Sequence, residues 1–496
     1  MSPTQTVRVN IALATLSGLA LRLYLVVKFP VADTGDAPFY IELAWNWLKN
    51  GVYGFAVNGQ LTPVDMRVPG YPAFLASVFA VAGQSTRAVM LAQIVVDLGT
   101  CFVVALIAAR LAPQASRRRV ALAGLWLAAL CPFTANYTAV VLTETLVIFL
   151  TALAILILLQ TVLGTNTRAD AGTESRQRMF LSNSWFLAGL VVGFGTLVRP
   201  ETPLLLFAAG LMLVAKWWRP ADWRKLARTG ILMGVGLLLP LVPWAARNWH
   251  TLHDVQFLAP RYSELPGEYT PLGFTAWTNT WMWRFRDVYL TQWKVNDEEI
   301  VISQLPPYAF DSQDERERVS DLIDEYNEAL TIDPSLDQGF RDIARQRTER
   351  DPLRTYVRIP ALRTLTLWFT PRVELLPSSG HLWPVREEWQ DDRADFLVTM
   401  GLTAVNVIYI VLAFAGARIA RRRPGVALLI LFCVVRTLFF AKFVETPEPR
   451  YVLECFPAVI ALGAQVFGVT AGRNIKGEKL REIARLPAVR GFESKD

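Results

Sequence analysis

Six short stretches of this 496-residue chain carry ionisable residues of the kinds that proton transfer and phosphate binding require. Asp33 and Asp36 stand three residues apart in V-A-D-T-G-D. A carboxylate at a water interface can take a proton from an attacking hydroxyl or amine. Asp36 also sits where a helix N-cap belongs, just before Ala37-Pro38, and the two roles can coexist. Arg67 opens R-V-P-G-Y-P, a rigid turn that holds a guanidinium near Tyr71. Glu144, in T-E-T, lies inside an otherwise apolar run, where an ionisable group is costly and points to function. L-V-R-P-E puts Arg199 and Glu201 at a helix end, because a helix stops at or before the residue preceding proline. P-W-A-A-R-N contributes Arg247 and Asn248, and E-P-R-Y contributes Arg450 and Tyr451. Guanidinium groups bond phosphate in bidentate fashion. They also stabilise charge on a departing phosphate, by ~3–4 kcal/mol per well-placed donor. Taken singly, each stretch has an ordinary reading too: a cap, a turn with a snorkelling arginine, a buried interhelical hydrogen bond, a local ion pair or a membrane-edge anchor.

The elements that must position these residues are membrane helices. Hydrophobic residues make up 53% of the chain, and several apolar runs approach or exceed the ~20 residues that cross a bilayer. Ten runs read as spans: 8–28, 87–111, 119–133, 137–161, 183–198, 202–218, 228–247, 396–419, 425–442 and 452–470. The first lacks a small-residue cleavage site and reads as a transmembrane helix rather than a signal peptide. Lys and Arg gather after the even-numbered spans, at Arg117–Arg119, Arg168, Arg176, Arg178, Lys216–Arg228, Arg421–Arg423 and the tail 473–496. The positive-inside rule makes that side cytoplasmic, and a net charge of +7 then says nothing of nucleic acid. Cys101, Cys131, Cys433 and Cys455 lie in or beside apolar runs without C-x-x-C spacing, so neither a disulfide framework nor a zinc site is expected.

All six stretches fall on the opposite, outer side, although the topology was set by other residues. The chain divides into an N-terminal membrane module 1–247 with a first outer loop 29–86, an outer region 248–395, C-terminal helices 396–472 and the basic tail. In the first loop, Phe39, Tyr40, Leu43, Ala44, Trp47 and Leu48 form the stripe of an interfacial helix over 37–49, closed by Gly51. The run 71–83 is too short to cross and reads as interfacial or re-entrant. In the outer region, the aromatics of 274–293 are expected at the membrane surface. Residues 311–350 read as a small helical cap, and Tyr356 to Phe369 as an amphipathic return. Asp97, Arg436 and Arg22 are intramembrane charges expected to pair structurally, and His250 and His253 in H-x-x-H are too few for a metal site. Outside the cytoplasm a nucleotide-activated donor is not at hand, so a sugar donor would be carried on a lipid phosphate held by the arginines.

These motifs, in this order, resemble the bacterial family 39 branch of the GT-C glycosyltransferases, whose relatives include protein O-mannosyltransferases and the transferase that puts aminoarabinose on lipid A. The likeness rests on D-x-x-x-Y (Asp36 to Tyr40), R-x-P-G-Y-P, T-E-T-L, L-V-R-P-E, P-W-x-x-R-N and R-Y. It implies an all-α polytopic fold, a GT-C-like bundle of about 10–11 transmembrane helices with interfacial helices and a helical outer cap. It implies that Asp36, with Asp33 in reserve, is the base or acceptor-binding carboxylate, and that Arg199, Arg247 and Arg450 contact a polyprenyl phosphate. Arg67 is grouped with these arginines and Glu144 with the acids, while Tyr40, Tyr71, Glu201, Asn248 and Tyr451 are substrate-contact candidates. The expected activity is one-step inverting transfer of a sugar from a polyprenyl-phosphate donor to a lipid, glycan or protein, at the outer face of the bacterial cytoplasmic membrane. A glycan polymerase or ligase stays open. A lipid-linked-sugar flippase would show inverted repeats and charges along a crossing path, whereas these charges crowd at one face. The Asp pair with Glu144 leaves room for a divalent cation, but no ligand set is complete. Residues 300–395 depart from the family pattern, which leaves the acceptor open.

Overall fold

The computed structural model describes residues 3–33, 35–57, 59–164, 174–262 and 269–469, with the side chains of 163–182 not among them. Arg168 and the tail 473–496 lie outside the described residues, as do the side chains of Arg176 and Arg178. The first half runs α1 (Pro3–Lys28), α2 (Ala37–Asn50), the hairpin β1 (Gly54–Val57) and β2 (Gln60–Pro63), then α3 (Gly70–Ala82), α4 (Thr86–Leu111), α5 (Arg117–Ala129) and α6 (Pro132–Asn136). It continues through α7 (Glu144–Gly164), α8 (Glu174–Thr196), α9 (Leu204–Lys216), α10 (Trp223–Leu238) and α11 (Leu241–Leu252). The stretch 248–395 holds α12 (Leu272–Asn279), α13 (Phe285–Leu290), α14 (Gln313–Ala329), α15 (Pro334–Arg350), α16 (Ile359–Phe369) and α17 (Val385–Asp391). The chain then returns through α18 (Arg393–Ala420), α19 (Pro424–Phe443), a 3-10 segment Pro449–Cys455 and α20 (Phe456–Gly463).

Among the described residues six helical stretches are long and apolar enough to cross a membrane, or eight if each of two bent pairs is one span. The bends have sequence causes. Pro132 follows the first break, and Pro240 stands at the second, where the helices turn by 45° and 48°. The fold is thus an all-α polytopic membrane protein, its main core packed from α4, α5, α7, α8, α9, α18, α19 and α20.

Intramembrane charges pair as their cost demands. Arg22 of α1 donates from Nε to Asp97 Oδ2 of α4 at 2.6 Å, and from Nη1 to Gly18 O and Ala129 O at 2.8 Å each. Both side chains are buried. Replacing Asp97 with Leu leaves a buried guanidinium uncompensated and should cost about 3–5 kcal/mol of unfolding free energy. The double change R22M/D97L should recover most of that loss, which denaturant unfolding of the purified protein would show.

The aromatic segment 274–293 differs from the surface placement expected of it. Phe274, Trp277 and Trp281 are fully buried within the core of the cap, Phe274 and Trp277 packed on Phe340 of α15 and Trp281 on Trp277. Two short charged helices have little apolar surface of their own, so large rings from a neighbouring segment fill their interior. Tyr289 and Trp293 of the same segment stay exposed.

Candidate active site

Asp36, Arg67, Glu144, Arg199, Glu201 and Arg450 meet at one end of the bundle, where α1, α5 and α8 end and α4, α7 and α9 begin. Backbone contacts bring their segments together. Val31, between α1 and Asp36, bridges the strand-like residues ahead of Glu144: Val31 N donates to Ala139 O at 2.9 Å and Val141 N to Val31 O at 3.1 Å. Gly70 N donates to Leu197 O at 2.6 Å, joining the Arg67 turn to the Arg199 turn. Tyr71 OH donates to Gln93 Oε1 at 2.8 Å, and Gln93 Nε2 donates to Val140 O at 2.8 Å, so α3 is tied to the Glu144 segment through α4.

A Cβ at Gly70 would lie 2.5 Å from Leu197 O. Gly70→Ala should therefore push the two arginine turns apart and cost about 1–3 kcal/mol. Gly210→Ala, with nothing within 4 Å of its Cβ on α9, should be neutral or slightly stabilising. Equal melting temperatures for the two variants would refute the close approach.

Asp36 occupies the N-cap position of α2, but its side chain caps nothing. Its Oδ1 instead accepts from Arg67 Nη2 at 2.8 Å, and its Oδ2 lies 3.9 Å from Arg450 Nη1. Arg450 Nη1 is 4.0 Å from Glu144 Oε1, which accepts from Arg199 Nη1 at 2.9 Å. Arg199 Nε in turn lies 3.8 Å from Glu201 and 3.9 Å from Glu454. One chain of ion pairs therefore runs from Arg67 to Glu454. Burial pushes the Asp36 carboxyl up, but Arg67 foremost, then Arg450 and Arg199, outweigh it and hold Asp36 below the usual carboxylate range. The Asp36 side chain is 32% exposed and the Glu144 side chain 2%. An incoming group can reach Asp36, whereas Glu144 lies behind Arg199, with its Oε2 unpartnered.

Other sequence candidates take supporting places. Asp33 is exposed and forms no ion pair among the described residues. Tyr40 packs edge-on against Tyr71 at 5.2 Å, and Tyr71 is fully buried beneath the site. Tyr451 donates to Glu448 Oε1 at 2.8 Å, stacks on Phe440, and lies under the guanidinium groups of Arg199 and Arg450 at 5.7 and 5.8 Å. Arg247 and Asn248 are not drawn into the ion-pair chain. Arg247 donates to Val64 O, Tyr53 O and Asn248 Oδ1 at 2.8–2.9 Å, and packs on Tyr53 and Trp244. Asn248 is fully buried and donates to Gln256 O at 2.9 Å. Arg247 thus pins the hairpin to α11, and it lines a cavity of about 310 Å³ with Trp47, Tyr53, Trp244, Pro69 and Leu197. Among the described residues no three His, Cys, Asp or Glu side chains converge as metal ligands. Asp36 and Glu144 are both engaged by guanidinium groups, so a cation there would compete with the arginines.

Several participants were not singled out as site residues in the sequence. Glu448 lies 2.6 Å from Arg450 Nε. Glu454, in the apolar run 452–470, is flagged by the same rule that flagged Glu144, and it is the partner that Arg436 required. Glu374 has no local signal. Its Oε1 accepts from Tyr137 OH at 3.2 Å, its Oε2 is unpartnered, and burial pushes it above the usual glutamate range despite Arg372. Burial, with Glu374 and Glu448 nearby, pushes Tyr289 up to about 12.

No family model and no curated protein matches the chain. Solved structures do. The archaeal oligosaccharyltransferase AglB from Archaeoglobus fulgidus, in complex with an inhibitory peptide and a dolichol-phosphate, superposes with a TM-score of 0.51 at 12% identity, over 98% of this chain and 52% of that one. The A. fulgidus oligosaccharyltransferase tethered to an acceptor peptide gives 0.50 at 13% identity, over 97% and 51%. ArnT from Cupriavidus metallidurans, bound to undecaprenyl phosphate, is matched over 97% of this chain and 80% of that one at 13% identity, with a TM-score of 0.39. The chain spans about half the length of the archaeal protein, and at this identity what the two share is architecture: the chain has a GT-C-like membrane fold.

Proposed function

We propose that this chain transfers a sugar from a polyprenyl-phosphate-linked donor to a lipid, glycan or protein acceptor, at the outer face of the bacterial cytoplasmic membrane. The observation that supports this best is the placement of one reachable carboxylate, Asp36, between the guanidinium groups of Arg67 and Arg450, with Arg199 two contacts further on. Such a site offers a proton acceptor and anion-binding groups within one head-group-sized region. The archaeal protein of like fold was solved with a dolichol-phosphate, which is a lipid phosphate of the proposed class.

In this reading the donor phosphate is held by Arg450 and Arg199. The acceptor oxygen or nitrogen attacks the anomeric carbon from the side of Asp36. The bond from that carbon to the phosphate oxygen breaks, the phosphate leaves with the electron pair, and the acceptor's proton passes to Asp36. Attack opposite the leaving group inverts the anomeric centre. The arginines stabilise charge as it builds on the leaving oxygen, and the bundle orients the two substrates. Mass spectrometry of glycolipids and glycoproteins from a deletion strain tests the reading. One glycoconjugate should disappear while its unmodified acceptor accumulates. An unchanged profile would reject the proposal.

A further inference from the structure

We propose that the buried Arg436–Glu454 pair is a positioning device that sets Arg199 and Arg450 relative to one another. The inference rests on the functional reading above, in which those two arginines hold the donor phosphate.

Arg436 lies on α19 and Glu454 in the 3-10 segment Pro449–Cys455, and both are buried, 0% and 1% exposed. Glu454 touches three elements. Its Oε1 accepts from Arg436 Nη2 and lies 3.9 Å from Arg199 Nε, and its Oε2 accepts from Thr151 of α7 at 3.2 Å. Arg436 reaches the other way. Its Nε donates to Tyr451 O at 2.6 Å, next to Arg450, and its guanidinium lies over Phe440, the ring stacked on Tyr451. One arm of the pair therefore ends at Arg199 and the other at the Arg450–Tyr451 segment. The two arms meet again at Glu144 Oε1, 2.9 Å from Arg199 and 4.0 Å from Arg450. Neither member of the pair is accessible to an incoming group, so Glu454 acts through Arg199 and Arg436 through the backbone beside Arg450.

Packing alone does not account for such a pair. Two charges this deep are expensive to desolvate, and well-packed apolar residues of like volume often serve stability as well or better. What apolar residues cannot do is hold a guanidinium by direction and charge. Charge also gives the device a distinctive signature. Counted along the contacts, Asp36, Glu144, Glu201, Glu448 and Glu454 face Arg67, Arg199, Arg436 and Arg450, which is one carboxylate more than guanidiniums. Removing the Glu454 charge makes the site more welcoming to an anion while loosening Arg199. Affinity and turnover then move in opposite directions, whereas a merely structural lesion weakens both.

Glu454→Gln keeps the shape and the bond to Arg436. In the full-length purified protein it should bind undecaprenyl phosphate about two- to fivefold more tightly, one repulsive charge having left the site. In the complemented deletion strain, product formation should fall about ten- to a hundredfold, the scale of an ångström-level misplacement. The double variant R436M/E454L should melt near the wild-type temperature and also lose product, and it decides the matter if Glu454→Gln does not accumulate. Wild-type product formation in either variant would overturn the device, as would lipid-phosphate binding and product lost together. A wild-type protein that binds undecaprenyl phosphate but restores no glycoconjugate would instead reject the functional reading itself.

Discussion

Asp36→Asn should abolish transfer while the protein still accumulates in the membrane. Loss of a general base costs about 10²–10⁴-fold in rate, and Asn cannot accept the proton. The arginines shape how this base works. Held low by Arg67, Arg450 and Arg199 against the pull of burial, Asp36 is a weak base toward a free hydroxyl. In the proposed reaction, proton transfer would then lag behind cleavage of the bond to phosphate, once the acceptor oxygen has gained positive charge. The pH dependence has a definite sign. A carboxyl whose folded pKa is depressed contributes stability that is complete above the unfolded value of about 3.9. That contribution is lost as pH falls through the lower folded value. Activity carried by Asp36 should follow the same acid limb and stay flat through neutral pH on its account. Arg67→Gln removes the foremost group holding Asp36 down, so its acid limb should move to higher pH. A full pH–rate profile checks this, and full activity in Asp36→Asn would remove the base assignment.

Arg199→Ala should carry the second-largest effect, on stability and turnover together. Arg199 is the cation between Glu144 and Glu454, two carboxylates of which only about 2% is exposed. Its removal leaves Glu144 with Arg450 at 4.0 Å as its nearest remaining cation. Breaking a buried pair by deleting one partner costs about 3–5 kcal/mol, and losing one donor to a developing anion costs about 10²–10³-fold in rate. Arg199→Lys should restore most of the stability, because a cation is again present. It should restore little of the rate, because an ammonium cannot present the planar fork that faces Glu144, Glu201 and the phosphate at once. Unfolding in denaturant and product formation in the complemented strain separate the two effects. An Arg199→Ala protein as stable as the wild type would show that Glu144 and Glu454 do not depend on it.

Much of this architecture is legible in the sequence wherever a local physical rule applies. Apolar runs mark helices, but among the described residues six, or eight with the two bent pairs, rather than ten are long and apolar enough to cross a membrane; the run 202–218 yields only the 13-residue α9. Aromatic spacing marked α2, and Gly51, at φ 69°, closes it as expected. The charged pattern of 311–350 became α14 and α15. The hairpin β1–β2 went unforeseen although Asn58-Gly59 is a strong turn signal; a flanking pattern of only four residues a side was too short to stand out against the helices. Aromatics favour the membrane surface, which predicts that depth for Trp277 and Trp281, yet the core of the cap claims them.

What the sequence by itself determined was which residues were too costly to be idle and at which end of the bundle they stand, because hydropathy and loop charge act along the chain. Which acid meets which base was decided by tertiary structure alone. The pairs Asp36–Arg67, Glu144–Arg199 and Glu454–Arg436 span 31, 55 and 18 residues. Whether Asp36 caps its helix or faces Arg67 turns on a few ångströms set by the Gly70–Leu197 and Val31–Val141 contacts. Coulomb energy depends on those distances, and no local propensity encodes them.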